Sequence, residues 1–184
     1  AGARLLAAWG GDPALGAALA ALPERLEQAV HTDVTAAVEL LADRSSLYVI
    51  GRGPILAIAA EAALKLKETC YLHAEAFSAA EVQHGPKAVI DEDFPLLALA
   101  IKDQGGVDTL TFAAERARAG GTVITFSPEA QAPGLHLRLP APLHPLLDPI
   151  VAIAAFYPLA AALALARGLD PDRPRGLKKV TATL

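Results

Sequence analysis

The sequence predicts an α/β domain, a parallel sheet with helices on both faces, and three observations carry that prediction. Short apolar runs such as "SSLYVIG", "FPLLALAI" and "TVITF" alternate with helix-length segments. The runs lack in–out polar alternation, which is the pattern of strands covered on both faces. Each is followed by enough chain for a right-handed crossover, so βαβ units are expected. The chain has 184 residues, 53% of them hydrophobic, and a mean hydropathy of +0.37. That is sufficient for one domain with a substantial core and too little for two ordinary ones.

The first residues, "AGARLLAAWGG", read as the end of an apolar helix. They are not a signal peptide, because no charged stretch precedes a long apolar core. With no methionine in the chain, residues 1–21 are expected to be the tail of an upstream domain and a linker, before a domain over 22–168 and a tail over 169–184. Residues 14–42 read as helix broken near Pro23, with Leu22, Leu26, Ala29 and Val30 spaced as one buried face. "SSLYVIG" is a buried strand, and "GRGP" then launches a helix to about Thr69, with Pro54 in its first turn.

"CYLHAEA" reads as a short strand. Ser78 and Glu81 form a capping-box pair, opening a short helix that His84 ends and Gly85-Pro86 terminates. "FPLLALAI" is a strand, "GVDTLTFAAERARAGG" a helix, and "TVITF" and "LHLRLP" two further strands. Residues 150–166, "IVAIAAFYPLAAALALA", carry no charge and approach membrane-spanning length. Alanine content and Pro158 favour a buried or subunit-interface helix, so no membrane is expected. A polar tail, "RGLDPDRPRGLKKVTATL", closes the chain.

Composition excludes several function classes. Net charge is −4 and the 16 Lys and Arg form no basic run, so nucleic acid is not an expected partner. One cysteine, Cys70, excludes an internal disulfide and fits a reducing, cytoplasmic setting. It reads as a small buried hydrophobe rather than a nucleophile. No metal-ligand spacing and no G-x-S-x-G elbow occur, and no cofactor is expected. "GRGP" lacks the third glycine of a dinucleotide fingerprint, Ala57 standing in that region.

One stretch holds chemistry. At about 100° per residue, Glu61, Lys65 and Glu68 fall within roughly 60° of one another on an otherwise apolar helix. A solvated ion pair explains such a stripe, and so does a catalytic face. His84 at a helix end is favourable with the dipole and needs no chemistry to explain it. Gly51, Arg52 and Gly53 lie at a strand's carboxyl end, where open α/β sheets bind ligands.

The stretch "GRGP…AAEAALKLKETCYLHAEAFSAAEVQHGPKAVID", with the tail "GLDPDRPRGLKKVTATL", resembles the sugar-isomerase (SIS) family. The resemblance is to the second SIS domain in the isomerase part of glucosamine-6-phosphate synthases, and to the two-SIS glucosamine-6-phosphate deaminases. It implies a flavodoxin-like three-layer sandwich and an enzyme acting on a phosphorylated amino or keto sugar, with the deaminase/isomerase type favoured by the ending "KKVTATL". It implies further that Glu68 moves the proton between C1 and C2, and that His84 opens the sugar ring from the neighbouring subunit of a homodimer. Lys65 would face the developing enolate or enolamine, Glu61 would line the site, and Lys179 would close over the sugar. The family holds its phosphate on a Ser/Thr-rich loop of the first SIS domain. The corresponding loop here, "KDQGGVDTL", offers Asp103, Asp108 and one hydroxyl, Thr109. The resemblance therefore implies a missing N-terminal SIS domain. A non-catalytic phosphosugar sensor is the alternative of another class.

Overall fold

The computed structural model describes residues 2–176 and contains five parallel strands in the order β2-β1-β3-β4-β5. They are β1 (Ser46–Gly51), β2 (His73–Ser78), β3 (Leu96–Leu99), β4 (Val123–Ser127) and β5 (Leu135–Arg138). Strand side chains divide between two cores. Leu47, Val49, Leu97 and Phe126 enter one, together with α2 (Pro13–Val30), α3 (Thr35–Leu41), α4 (Ile55–Cys70) and α6 (Asp148–Ala166). Tyr48, Ile50, Leu96 and Ala98 enter the other, beneath α5 (Gln104–Arg118) and the 3-10 turn Glu81–His84. Burial on both faces explains why the strands read as unbroken apolar runs.

Two boundaries differ from expectation. The first helical region is not broken at Pro23, which lies inside α2. The break falls at His31–Val34, where Thr32 Oγ1 donates to the Ala29 carbonyl (2.9 Å) and Asp33 Oδ1 accepts from the Thr35 amide (3.0 Å). Short polar side chains there offer the backbone partners that compete with the helix. The strand expected from Cys70 begins instead at His73. Helix α4 runs to Cys70, and Tyr71 leaves it in the left-handed region with φ 50°, its amide donating to the Leu66 carbonyl.

Residues 1–21, expected as an upstream tail and linker, hold α1 (Gly2–Gly10) and the start of α2 within the described residues. Asp12 caps α2 by accepting from the Ala14 and Leu15 amides, with Pro13 in the first turn. Ala3 and Ala7 pack on Leu15, Ala18 and Leu147. The apolar segment is α6, and it is a core helix, with Val151, Ala155, Phe156, Leu159 and Leu163 buried. Leu165 and Tyr157 remain exposed on its outer side.

Candidate active site

Strand β1 delivers the site. Its last residue, Gly51, pairs with Ser78, so the carboxyl ends of β1 and β2 lie side by side. Gly53, at φ 69°, turns the chain from strand to helix. Helix α4 then buries Ile55, Ala59, Ala62, Ala63, Leu66 and Cys70, the helical spacing of one apolar face. Small residues on that face let α6 approach closely, and Cys70 Sγ donates to the Ala160 carbonyl at 3.3 Å. Burial, the largest cause, pushes the Cys70 thiol above its ordinary range, as a small core hydrophobe requires.

The same helix turns Glu61, Lys65 and Glu68 to its outer flank. Lys65 Nζ lies 2.5 Å from Glu68 Oε2 and 3.8 Å from Glu61 Oε1. The three side chains are 30%, 28% and 35% exposed for Lys65, Glu68 and Glu61, a depth between core and surface. The closer contact is the i,i+3 one to Glu68 rather than the i,i+4 pair with Glu61. Hydrogen bonding to Glu68 is the largest influence on Lys65 and holds its ammonium above the usual lysine range. A pair this accessible adds up to about 1 kcal/mol of stability. The fold therefore gains little from it.

Helix α6 adds a group that sequence reasoning missed. The Tyr157 hydroxyl donates to Glu61 Oε1 at 3.4 Å. Desolvation first and the Glu61 charge second raise its phenol above the ordinary value, so it stays a proton donor. Tyr157 is the only hydroxyl-bearing residue in the apolar run from Ile150 to Ala166. That was the available signal. Tyr157, Glu61, Lys65 and Glu68 form one continuous polar row on the α4/α6 surface.

The other expected site residues lie apart from the row. Gly51, Arg52 and Gly53 form the loop after β1, where Arg52 Nε pairs with Asp108 Oδ2 at 3.2 Å. In the loop after β3 the Gly106 amide donates to Asp103 Oδ1 (2.6 Å), and Thr109 Oγ1 to the Gly105 carbonyl (2.8 Å). Gly105 packs directly on the Arg52 backbone, since a Cβ there would stand 2.4 Å from the Arg52 carbonyl oxygen. His84 is exposed at the end of a 3-10 turn whose Val82 packs in the core beneath α5, whereas α4 packs in the core on the opposite face. One copy of the chain does not join His84 to the row. Lys179 lies outside the described residues. Among those residues no group of three His, Cys, Asp or Glu side chains is placed to hold a metal ion.

Comparison with known proteins adds three findings. The family model described as the SIS domain matches residues 40–166. Glutamine–fructose-6-phosphate aminotransferase (isomerizing) of Pyrobaculum aerophilum is 38% identical over 168 residues, covering 88% of this chain and 28% of that protein. The enzyme of the same name from Escherichia coli K12 is 36% identical, with 88% and 27% covered. The chain thus spans under a third of the length of these relatives. Among solved structures, a Silicibacter pomeroyi protein provisionally assigned as a phosphosugar isomerase superposes with a TM-score of 0.80 at 42% identity, over 91% of this chain and 51% of its own. The C-terminal domain of glucosamine-fructose-6-phosphate aminotransferase from Francisella tularensis gives 0.73 at 29% identity, covering 86% of this chain and 45% of that one.

Proposed function

The chain belongs to the SIS domain family, and from that premise we propose that it is the second SIS half of an enzyme interconverting glucosamine 6-phosphate and fructose 6-phosphate. In the degradative direction the amino sugar phosphate and water give the keto sugar phosphate and ammonia. The observation that carries the proposal is the Lys65 ammonium held between Glu68 and Glu61 on a half-buried row that contributes little to stability.

Glu68 takes the proton from C2 of the open-chain sugar and returns it to C1 on the same face, through an enolamine or enediol. As Glu68 is protonated it loses its charge, and the Lys65 ammonium is freed to face the oxygen on which negative charge gathers. No proton need leave Lys65, whose raised pKa keeps it a cation. Glu61, hydrogen-bonded by Tyr157, lines the site and holds Lys65 from the other side.

His84 belongs, in this reading, to the site of a second copy and opens the sugar ring there, chemistry suited to an imidazole, which has one ring nitrogen to accept a proton and one to donate. Its placement on the opposite face of the sheet from α4 supports that assignment. Exposed Leu64, Tyr157 and Leu165 on α4 and α6 give the protein an apolar surface beside the row, which supports a homodimer. Lys179 closes over the sugar, and Gly51, Arg52 and Gly53 touch it at the sheet edge. The phosphate is held by a first SIS domain, a reading supported here by the Gly106 amide and the Thr109 hydroxyl after β3 being engaged by this chain's own groups, with Arg52 paired to Asp108.

A second reading is the isomerase domain of a glutamine-dependent aminotransferase, favoured by the name shared by the curated relatives at 36% to 38% identity. The full-length protein decides between them when given glucosamine 6-phosphate alone, and separately fructose 6-phosphate with glutamine. Ammonia release in the first mixture supports the deaminase. Amino-sugar formation only in the second selects the aminotransferase. A protein that binds the sugar phosphate but does neither is a sensor.

A further inference from the structure

Helix α6 reaches the polar row through one side chain. Phe156 before Tyr157 and Leu159 after it are fully buried and fix the helix on the sheet, with the Phe156 ring edge-on to Phe126, 6.5 Å between centroids. Tyr157 itself is 45% exposed, so the core makes no demand for its hydroxyl, and phenylalanine would pack there as well. That hydroxyl donates to Glu61 Oε1 at 3.4 Å, and the same oxygen lies 3.8 Å from Lys65 Nζ. Donors from two helices converge on one carboxylate oxygen.

Lys65 has two anions close by and touches one of them. Its Nζ is at hydrogen-bond distance from Glu68 Oε2, 2.5 Å, while Glu61 Oε1 at 3.8 Å is about 1 Å too far. In the proposed reaction Glu68 takes up a proton and for that interval ceases to hold the ammonium. Glu61 is then the nearer charge, and a small turn of the lysine end closes the gap. An ammonium has three donors, so one can go to Glu61 while another faces the substrate oxygen that gathers negative charge. A glutamate free to rotate offers no fixed place for this, because it must be ordered at each turnover.

We propose that Tyr157 is a positioning residue, its hydroxyl fixing Glu61 Oε1 as a second seat to which the Lys65 ammonium moves while Glu68 carries the proton. The inference rests on the function proposed above. The charged groups acting on the phenol are Glu61 and Lys65, both on α4. Desolvation first and the Glu61 charge second hold it above the ordinary tyrosine range, so it stays protonated and continues to donate. Helix α6 thereby serves the reaction from outside the helix that carries Glu68, acting through Glu61 without touching the reacting carbons.

The full-length protein tests this with Tyr157→Phe, Glu61→Gln and the double variant. Tyr157→Phe is expected to lower kcat for glucosamine 6-phosphate about tenfold with KM changed less than about twofold, while the melting midpoint moves by no more than about 2 °C. In the Glu61→Gln protein the same substitution should change kcat less than about twofold, because the anionic seat is already gone. Wild-type kcat in Tyr157→Phe overturns the role, and an equal loss in both backgrounds overturns its action through Glu61. NMR of the protein labelled with 13C-tyrosine reads the contact without turnover, the resonance missing in Tyr157→Phe being that of Tyr157. Its ionisation should fall at lower pH in Glu61→Gln than in wild type, since the carboxylate charge that opposes it has been removed. The same midpoint in both proteins overturns the Tyr157–Glu61 contact. A wild-type protein without turnover overturns the function proposed above, and the titration still decides whether Tyr157 holds Glu61.

Discussion

Lys65 Nζ lies 2.5 Å from Glu68 Oε2, one helical turn along α4, and the two side chains are each about one-third exposed. That depth makes the pair a weak contributor to stability and leaves it open to a substrate. Lys65→Met removes the cation while keeping the stem. We expect kcat to fall at least about 100-fold, as for loss of a single charge-stabilising donor. The melting midpoint should move by no more than about 3 °C. Steady-state kinetics and a thermal melt check both halves.

The pH dependence of that contact has a defined sign. The folded-state pKa of Lys65 is raised above its ordinary 10.5, chiefly by the hydrogen bond to Glu68. Its stabilising contribution is therefore fully present below the unfolded-state value and is lost as pH rises through the folded one. Denaturation of the wild type and Lys65→Met between neutral pH and pH 11 should show the stability difference constant at first and shrinking only at the alkaline end.

Cys70 and Ala160 mark the close approach of α4 and α6. The buried thiol, its pKa raised by desolvation, should resist alkylation by iodoacetamide in the native protein and react at once in denaturant. Mass spectrometry of the alkylated protein gives the answer.

Arg167 donates to three backbone carbonyls, those of Cys70, Ala42 and Arg44. Removing it leaves acceptors at the ends of α3 and α4 without partners. Arg167→Ala should lower the unfolding free energy by about 3 kcal/mol, since each charged hydrogen bond counts for about 1.5–3 kcal/mol before water replaces part of it. Urea titration measures the loss.

If His84 serves the site of a second copy, full-length Glu68→Gln and His84→Ala proteins complement one another. Each is inactive alone. In a random mixture half the dimers are hybrids, and one of the two sites in each hybrid is intact, so about a quarter of the wild-type activity returns. No recovery after exchange of subunits sets the dimer assignment aside.

The strands and the charged stripe were legible because their signals are periodic. Leu47, Val49 and Leu97 belong to apolar runs, and the stripe needs only the helical period. What escaped depended on local chemistry or on distant contacts. Pro23 looked like a break, but the chain breaks instead where Thr32 and Asp33 bond to the backbone. Tyr71 hid the end of α4, because a left-handed residue that is not glycine leaves no compositional mark. Tyr157 stands 96 positions from Glu61, and only the packing of α6 on α4 brings them together. Arg167 is likewise invisible as a clamp until its three carbonyls are in place.

Solvent exchange reads out whether Glu68 carries the proton. The full-length protein and its Glu68→Gln variant would be incubated with fructose 6-phosphate in heavy water, with deuterium at C1 followed by NMR. Exchange is expected in the wild type, with a loss of at least about 100-fold in the variant, the scale of removing a general base. Exchange at the wild-type rate in Glu68→Gln would move the proton to another residue.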